Sequence, residues 1–381
     1  MLLLNAQKLE RILTDRIEKD ISEGTLIGAS CAVMQGDDYV CKVIKGAANP
    51  KTMEPLCEGS IFRLASMTKL LTVAGLLLFI EQGKISYDTQ ISDFFPGFKE
   101  KWIAHIDENR HLVRDKKASV PISALHLFTH TSGLGSGMAG DLQRERLSEE
   151  QKATVASIVD FYQNEAVLDF EPGSECAYSA LAAFDVMARI IELLSGMGFD
   201  EYLKKYIFDP LEMKDTTFVP SDEQWRRMVA MHDIADGKAV AAEWGRAIFP
   251  GIPKTNMCGG GGLVSTMGDY CNFAKMLMEG GTYKKRRILA EESVRAMGTQ
   301  KIPDRFGEAT TWGIGCMVYK NFPPMPKGCF GWSGAWGTHM WVDPANNIGA
   351  VYMRNSAFAG GAGAETARNF EKDVYSAATS R

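Results

Sequence analysis

The chain has 381 residues, of which 45% are hydrophobic and 23% charged, and its formal net charge is -5. This is the composition of a globular protein of about two domains, and it lacks the basic surface typical of nucleic-acid binding. The longest apolar stretch, Leu70 to Ile80, is too short to cross a bilayer. We therefore expect no nucleic-acid partner and no membrane partner.

The first predicted element is a helix, and it bears on the location of the protein. In "MLLLNAQKLERILTDRIEKDISEG", Leu9, Ile12, Leu13 and Ile17 recur at helical spacing and acidic residues enter early. This pattern indicates an amphipathic surface helix rather than an export signal. The eight cysteines form no CxxC pair and no Cys/His metal spacing, which fits thiols kept reduced in a cytoplasm. We expect a cytoplasmic protein without a metal site.

Strands and helices then follow in blocks along the chain. Two strands around a Gly-Asp turn are predicted in "LIGASCAVMQGDDYVCKVIKGAA", and a helix over 66–82 follows them. Residues 84–255 are dominated by helical patterns, with a short hairpin turning at Glu108 and Asn109. The clearest helices are "SIVDFYQNE", "ALAAFDVMARIIELLSG" and "GFDEYLKKYIFDPL".

The C-terminal part returns to strands. In "GGGGLVSTMGDYCNFAKMLMEGG" a helix is predicted after a glycine-rich turn, residues 312–354 alternate as strands, and "GAETARNFEKDVYSAA" predicts a closing helix. Strands at both ends with helices between them predict an α+β fold. We expect one domain formed by residues 1–85 and 256–381, and a mostly helical domain over 86–255.

Ser66 and Lys69 stand one turn apart at the start of the helix predicted over 66–82. Positions i and i+3 share a helix face, so the hydroxyl and the amine can meet. A serine in the first turn also has a free backbone N–H, and the helix dipole there favours a developing oxyanion. Burial lowers the pKa of a lysine side chain, and a neutral amine beside a hydroxyl can act as a general base. The pair is therefore a candidate nucleophile and base.

The spacing alone leaves other interpretations open. An S-x-x-K pair is expected about once by chance in a chain of this composition, and a lysine at a helix end often extends to solvent without a function. A tyrosine such as Tyr178 is ordinarily a packing residue whose hydroxyl is hydrogen-bonded. The stretch "GWSGA", Gly331 to Ala335, nearly matches the G-x-S-x-G nucleophile elbow around Ser333. However, Ala335 stands where the motif has its last glycine. A strand is also predicted after this stretch, where the elbow needs a helix.

Several motifs, in order, resemble those of the serine β-lactamase and penicillin-binding-protein superfamily. "SMTK" is similar to the first motif, and "LHLFTHTSGL", Leu125 to Leu134, is similar to a segment between the motifs. "PGSECAYSA" resembles the segment of the second-motif tyrosine, which would be Tyr178, and "GWSGAWG" stands where the third motif falls. The resemblance covers about residues 25–360. It implies an antiparallel sheet flanked by helices and a mostly helical domain, with the active site between the two domains.

Two departures from the superfamily pattern indicate the substrate. Trp332 replaces the Lys or His that usually begins the third motif and helps to hold a substrate carboxylate. Ala180 replaces the asparagine that follows the motif tyrosine in β-lactamases and orients an acylamino side chain. A third motif with tryptophan is typical of family VIII carboxylesterases, which the chain resembles most. The resemblance therefore implies a carboxylesterase for small, uncharged, short-chain esters that needs no cofactor.

The resemblance also implies a role for each site residue. Ser66 would be the nucleophile, and Lys69 with Tyr178 would accept its proton and pass one to the leaving alcohol. The backbone N–H groups of Ser66 and Ala335 would form the oxyanion hole. Because lysine and tyrosine titrate at high pH, we expect an alkaline activity optimum. The expected substrate-binding residues are Trp332, Ser333, Gly334 and Trp336.

Other functions stay open at the level of sequence. A β-lactamase, a D-amino-acid amidase or peptidase, and an acyltransferase would share the acyl-enzyme chemistry, and a non-catalytic binding protein could keep the fold. His130 is interpreted as a loop-ordering residue. The four glycines 259–262 lack the spacing of a phosphate-binding loop and indicate tight backbone packing beside the sheet. The sequence does not set the oligomeric state, and a homodimer is compatible with it.

Overall fold

A seven-stranded antiparallel sheet forms the centre of the molecule. The computed structural model describes residues 2–357 and 364–380. Strands from the C-terminal part of the chain pair with the N-terminal strands, since Ile348–Met353 lies beside Gly28–Gln35. This arrangement confirms the predicted α+β fold. From edge to edge the sheet contains Thr310–Trp312, Met317–Tyr319, Phe330–Ser333, His339–Asp343, Ile348–Met353, Gly28–Gln35 and Asp38–Gly46.

Helices cover both faces of this sheet. Ala6–Ser22 and Glu365–Ser376 pack on one face, and Met267–Met278 packs on the other. Because the central strands are buried on both sides, Gly28–Gln35 and Ile348–Met353 are almost continuous apolar runs. The other helices and helical turns are Ala65–Met67, Thr68–Glu81, Ile91–Asp93, Pro96–Phe98, Ala124–Phe128, Met138–Glu145, Glu149–Lys152, Val155–Asn164, Ala182–Ser195, Phe199–Leu203, Lys204–Phe208, Asp222–Arg226, Glu291–Met297 and Asp304–Phe306.

Short two-stranded ladders connect the remaining segments. The hairpin predicted to turn at Glu108 and Asn109 is confirmed as Trp102–Ile106 paired with Leu112–Lys117. The sequence does not predict the other ladders, because their strands are too short for alternation to be visible. They are Leu2–Leu4 with Ala378–Ser380, Ile61–Arg63 with Val264–Thr266, His232–Ala235 with Lys238–Ala241, and Thr282–Tyr283 with Arg286–Arg287.

The helix predicted over 66–82 begins later than expected. The α-helix spans Thr68–Glu81, and the preceding residues form the tighter turn Ala65–Met67. Ala65 has a φ of 46°, a left-handed conformation that costs an alanine about 1–2 kcal/mol and cannot start an α-helix. The ladder that contains Ile61–Arg63 fixes the chain just ahead of this turn. Ser66 therefore projects from a strained turn rather than from the helix itself.

The helix Thr68–Glu81 is buried along most of its length, which explains its apolar composition. Ala182–Ser195 and Phe199–Leu203 pack against it. Close packing requires Gly75, because a Cβ there would lie 2.7 Å from the Leu203 Cδ2. No helix in the part of the chain that the structure describes is long and apolar enough to span a membrane.

The predicted helices of the middle segment and of the C-terminus are confirmed. The middle segment contains Val155–Asn164 and Ala182–Ser195, the latter ended by Gly196 with a φ of 69°. The closing helix is Glu365–Ser376, and Gly363, the first residue of its predicted segment, lies outside the described residues. The division into two domains stays a prediction.

Candidate active site

Ser66 and Lys69 meet at the start of the buried helix Thr68–Glu81. The Lys69 Nζ lies 3.1 Å from the Ser66 Oγ. Lys69 is 1% exposed, whereas Ser66 is half-buried and open to solvent on one side. The structure thus brings the predicted nucleophile and base together, with the serine toward solvent and the amine behind it.

Two backbone carbonyls fix the direction of the Lys69 amine. Its Nζ donates to the Ala180 oxygen at 2.6 Å and to the Gly260 oxygen at 2.7 Å. With two hydrogen-bonding positions of the nitrogen used in this way, the third is directed at the Ser66 Oγ. In a neutral amine this third position is the lone pair. The arrangement can therefore take a proton from the serine hydroxyl.

The glycine segment 259–262 holds one of these carbonyls in place. The N–H of Gly259 donates to the buried carboxylate of Asp185 at 3.2 Å. Glycine is required at this position, because a Cβ on Gly259 would lie 2.2 Å from the Phe184 oxygen. The tight backbone packing was predicted beside the sheet, whereas Gly259 packs against the helix Ala182–Ser195. This packing brings the next carbonyl of the segment within reach of the Lys69 amine.

Tyr178 lies against the same amine, but its hydroxyl has a different partner. The Lys69 Nζ is 5.0 Å from the centre of the Tyr178 ring, and the Trp332 Nε1 donates to the Tyr178 hydroxyl at 3.1 Å. Within the part of the chain described, this hydroxyl bonds neither Ser66 nor Lys69. Tyr178 is 36% exposed, so the ring lies at the mouth of the site. The tryptophan that replaces the usual cation thus supplies an N–H donor to the tyrosine.

His130 orders the segment that carries Tyr178. Its Nδ1 accepts from the Ser179 N–H at 3.0 Å, and its backbone oxygen accepts from the Ala177 N–H at 3.0 Å. These two bonds hold the residues on either side of the tyrosine. Burial and the charge of Lys69 lower the pKa of His130 far below its ordinary value, so the imidazole is neutral. A loop-ordering role, as interpreted from the sequence, fits this geometry.

The third-motif loop, residues 333–338, lies against the turn that carries Ser66. Gly334 packs directly on the Leu64 oxygen, which leaves no room for a side chain. The following residue, Ala335, is half-buried. Within residues 2–357 and 364–380, the N–H groups of Ser66 and Ala335 have no hydrogen-bond acceptor. Two unpaired donors at adjoining turns are what an oxyanion hole requires.

Replacing Gly334 with alanine is expected to destabilise the protein. The new Cβ would lie 2.1 Å from the Leu64 oxygen and 2.2 Å from the Thr338 Oγ1. The free energy of unfolding, measured in urea by tryptophan fluorescence, should fall by about 1–3 kcal/mol. Gly268→Ala is the matched control, because its nearest neighbour is 3.9 Å away and the position is helical. Small and equal effects of both substitutions would contradict the packing of the loop.

Trp336 belongs to an aromatic cluster beside this loop. Its ring centre is 4.7 Å from that of Trp244 and 5.4 Å from that of Phe249. A Cβ on Gly261 would lie 3.0 Å from the Phe249 ring, so the cluster also touches the glycine segment 259–262. The predicted substrate-binding residue Trp336 therefore contributes to an apolar wall between the third-motif loop and that segment.

The Ser333 side chain points away from Trp332, because successive side chains of a strand alternate between faces. The Ser333 Oγ is 2.7 Å from the His339 Nδ1, and the His339 Nε2 is 3.2 Å from the Glu371 Oε1. Burial raises the pKa of Glu371, but hydrogen bonds with His339 and Tyr319 outweigh it, and the net shift is downward. The carboxylate therefore stays ionised beneath the sheet.

The contacts of Ser333, His339 and Glu371 have the order of a Ser-His-acid triad, but they are enclosed. Ser333 is 2% exposed, and the side chains of His339 and Glu371 are 3% and 1% exposed. A substrate carbonyl cannot reach a hydroxyl at this depth. The geometry gives no support to Ser333 as a nucleophile, and a contact between Ser333 and substrate would have to come from its backbone.

A family model described as Beta-lactamase matches residues 13–371. The chain belongs to the Beta-lactamase family. The match includes every residue of the site described above. It confirms the predicted membership of the serine β-lactamase and penicillin-binding-protein superfamily, together with its fold.

Curated relatives of this Beta-lactamase-family chain carry different names. It is 29% identical to Protein Rv1367c of Mycobacterium tuberculosis over 355 residues, covering 87% of this chain and 86% of the relative. It is 28% identical to the D-alanyl-D-alanine-carboxypeptidase/endopeptidase AmpH of Escherichia coli, covering 90% and 83%. It is 24% identical to Esterase EstB of Burkholderia gladioli, covering 94% of each chain. The family's serine-hydrolase relatives thus include an esterase and a peptidase.

Solved structures share the fold over nearly the whole chain. EstCE1, described as a hydrolase with promiscuous acyltransferase activity, has a TM-score of 0.80 at 22% identity and covers 97% of this chain and 99% of its own. A family VIII carboxylesterase has a TM-score of 0.76 at 16% identity, with 97% of each chain covered. These likenesses establish the Beta-lactamase-family fold of this chain.

Two residues beside the site were not predicted from the sequence. Arg63 is buried and donates to the backbone oxygens of Val229 and Ala247, and burial lowers its pKa to about 10. The burial of Arg63 could have been predicted from its position as the single cation in the apolar stretch "IFRLAS". Trp312 lies against Tyr178. This contact depends on the order of the strands in the sheet, which the sequence alone does not give.

Proposed function

We propose that the protein is a carboxylesterase that cleaves small, uncharged, short-chain esters through an acyl-enzyme on Ser66. The observation that supports this most strongly is the Lys69 amine, which is buried, bonded to two carbonyls and directed at the Ser66 Oγ. Within the described residues Lys69 has no carboxylate partner in an ion pair. Burying an unpaired amine costs stability. Lys101 is buried in a similar way, but the Lys69 Nζ differs in lying 3.1 Å from a half-buried serine hydroxyl, and this contact supports a catalytic use.

In the acylation step, the Ser66 Oγ attacks the ester carbonyl carbon and its proton passes to the Lys69 Nζ. The carbonyl oxygen becomes an oxyanion that accepts from the N–H groups of Ser66 and Ala335. When the intermediate collapses, the bond between carbon and alkoxy oxygen breaks. Tyr178 gives its proton to the departing alcohol, and Lys69 returns a proton to Tyr178.

Deacylation uses the same groups. Water attacks the acyl carbon and gives its proton through Tyr178 to Lys69. The acyl–oxygen bond to Ser66 then breaks, Ser66 takes a proton back from Lys69, and the acid leaves. No histidine takes part, and His130 is neutral and bonded to the backbone of the tyrosine segment.

The preference for uncharged esters rests on Trp332. The Trp332 indole occupies the third-motif position of the superfamily's cation and offers one N–H, which is used by the Tyr178 hydroxyl. A carboxylate on the substrate would lie against rings without a cation to pair with, and this costs free energy. Ala180 contributes a backbone carbonyl to Lys69 but no side-chain amide for an acylamino group.

Labelling with a fluorophosphonate probe, followed by peptide mass spectrometry, tests the proposal. We expect one tag, on the peptide that contains Ser66, and faster hydrolysis of p-nitrophenyl butyrate than of nitrocefin. Faster nitrocefin hydrolysis would favour a β-lactamase, and transfer to an added alcohol in preference to water would favour an acyltransferase. A protein that is not labelled would fit a binding role, and a tag on another peptide would overturn the site.

Substituting Trp332 tests its hydrogen bond to Tyr178. Trp332→Phe keeps an apolar ring but removes the donor, so kcat/KM for p-nitrophenyl butyrate should fall about tenfold while KM changes little. Trp332→Lys restores the superfamily's cation and should raise the ratio of nitrocefin to ester turnover. Steady-state kinetics of both variants give the answer. An unchanged kcat in Trp332→Phe would show that the indole N–H takes no part in the reaction.

A further inference from the structure

Three aromatic rings form a wall at the mouth of the site. We call Tyr178, Trp312 and Trp332 the mouth wall. The ring centres of Trp312 and Trp332 are 4.8 Å apart. The ring centre of Tyr178 is 5.2 Å from that of Trp332 and 6.4 Å from that of Trp312. The Trp312 and Tyr178 planes are only 18° apart. All three side chains are partly open to solvent.

The wall is packed against a buried residue on one side and contains no charged side chain. The fully buried His130 packs behind it, with ring centres 4.7 Å from Tyr178 and 4.2 Å from Trp312. The Trp332 Nε1 is already bonded to the Tyr178 hydroxyl. The exposed surface of the wall is therefore mainly ring carbon, which suits an apolar, flat group.

The position of the wall relative to the reaction identifies the part of the substrate that it faces. In the proposed mechanism the Tyr178 hydroxyl protonates the departing oxygen, so the alcohol must lie against Tyr178. The rings that continue from Tyr178 are those of Trp332 and Trp312. Trp336 belongs to the other aromatic cluster, with Trp244 and Phe249. The alcohol portion of the ester is thus the part that meets the mouth wall.

We propose that the mouth wall is an alcohol subsite that selects esters of flat aromatic alcohols, with Trp312 as its specificity-determining residue. This rests on the proposed esterase function and goes beyond it by naming the leaving group. An aromatic ring of the alcohol stacks on Trp312 while the ester oxygen stays beside the Tyr178 hydroxyl. An aliphatic alcohol of the same size lacks the ring quadrupole and stacks less well.

Acetate esters separate the alcohol preference from every other step. Ethyl, cyclohexylmethyl and benzyl acetate all form the same acetyl-enzyme, so differences in kcat/KM report acylation and the alcohol alone. We expect benzyl acetate to exceed ethyl acetate by about tenfold or more, and to exceed cyclohexylmethyl acetate. Equal values for the three esters would overturn the subsite.

Variants then assign the preference to Trp312. Trp312→Leu should reduce the benzyl-to-ethyl ratio about tenfold, whereas Trp312→Phe, which keeps a ring, should retain most of it. Trp102→Leu is the control, since this half-buried tryptophan lies on the separate hairpin Trp102–Ile106 and should leave the ratio unchanged. If Trp312→Leu lowered kcat/KM for benzyl acetate and ethyl acetate equally, the role of Trp312 would be structural, and its proposed role in specificity would be wrong.

Fluorophosphonate labelling distinguishes the two possible failures. A wild-type protein that is labelled on Ser66 and hydrolyses ethyl acetate without preferring benzyl acetate refutes the subsite but not the esterase. A wild-type protein that is not labelled and hydrolyses none of the three esters refutes both. The label also confirms that each variant is folded before its ratio is compared.

Discussion

Replacing Ser66 with alanine is expected to abolish fluorophosphonate labelling and to lower kcat/KM for p-nitrophenyl butyrate by at least about 10⁴-fold. In the proposed mechanism the substitution removes the oxygen that forms the acyl-enzyme. The fold should be unaffected, because Ser66 is half-buried and its hydroxyl bonds only the Lys69 amine within the described residues. Active-site labelling and steady-state kinetics measure both effects.

The control for this substitution is Ser92→Ala. Ser92 lies in the short turn Ile91–Asp93, where its hydroxyl bonds the Gln90 side chain. This variant should retain full labelling and full activity. Labelling that persists in Ser66→Ala would place the nucleophile elsewhere and contradict the assignment of the site.

Replacing Lys69 with methionine is expected to lower kcat/KM by about 10²–10⁴-fold, because the proposed nucleophile loses its proposed base. Methionine keeps much of the length and the apolar stem but cannot donate to the Ala180 and Gly260 carbonyls. Stability should fall as well, since both oxygens lose a hydrogen bond. The rate of fluorophosphonate labelling measures the loss of nucleophilicity, and urea denaturation measures the loss of stability.

Lys101 provides a matched control for the removal of a buried amine. It is also buried, it bonds the backbone oxygens of Tyr162 and Gln163, and burial lowers its pKa to about 8. Lys101→Met should therefore lose stability by a comparable amount but keep its labelling rate. If both variants lost activity equally, the effect of Lys69 would be structural, and the proposed base would be wrong.

The closeness of Ser66 and Lys69 could be predicted because it depends on local geometry. Side chains three residues apart lie on one face in both helical forms, so Ser66 in the turn Ala65–Met67 and Lys69 in the following helix still meet. The two carbonyls that direct the amine could not be predicted, because Ala180 and Gly260 come from distant segments. The start of the helix was misplaced because Ala65 adopts a left-handed conformation, which an alanine in the sequence does not indicate.

Tyr178 and the tryptophans show where sequence reasoning reaches its limit. The motif order identifies Tyr178, but the partner of its hydroxyl depends on the face to which the strand Phe330–Ser333 turns Trp332. The contact with Trp312 depends in addition on two strand pairings. Long strands of the sheet were predictable from their apolar runs, whereas ladders of two or three residues such as Ile61–Arg63 were not.

The pairing of Gly28–Gln35 with Ile348–Met353 also affects how the protein is made. A ribosome delivers the first of these strands long before the second. In the interval Gly28–Gln35 can pair with Asp38–Gly46 along one edge, but its other edge has no strand partner. Contacts this distant in sequence form slowly. Biogenesis should therefore rely on chaperones that shield the early strand, and truncated translation products should aggregate rather than persist as soluble intermediates.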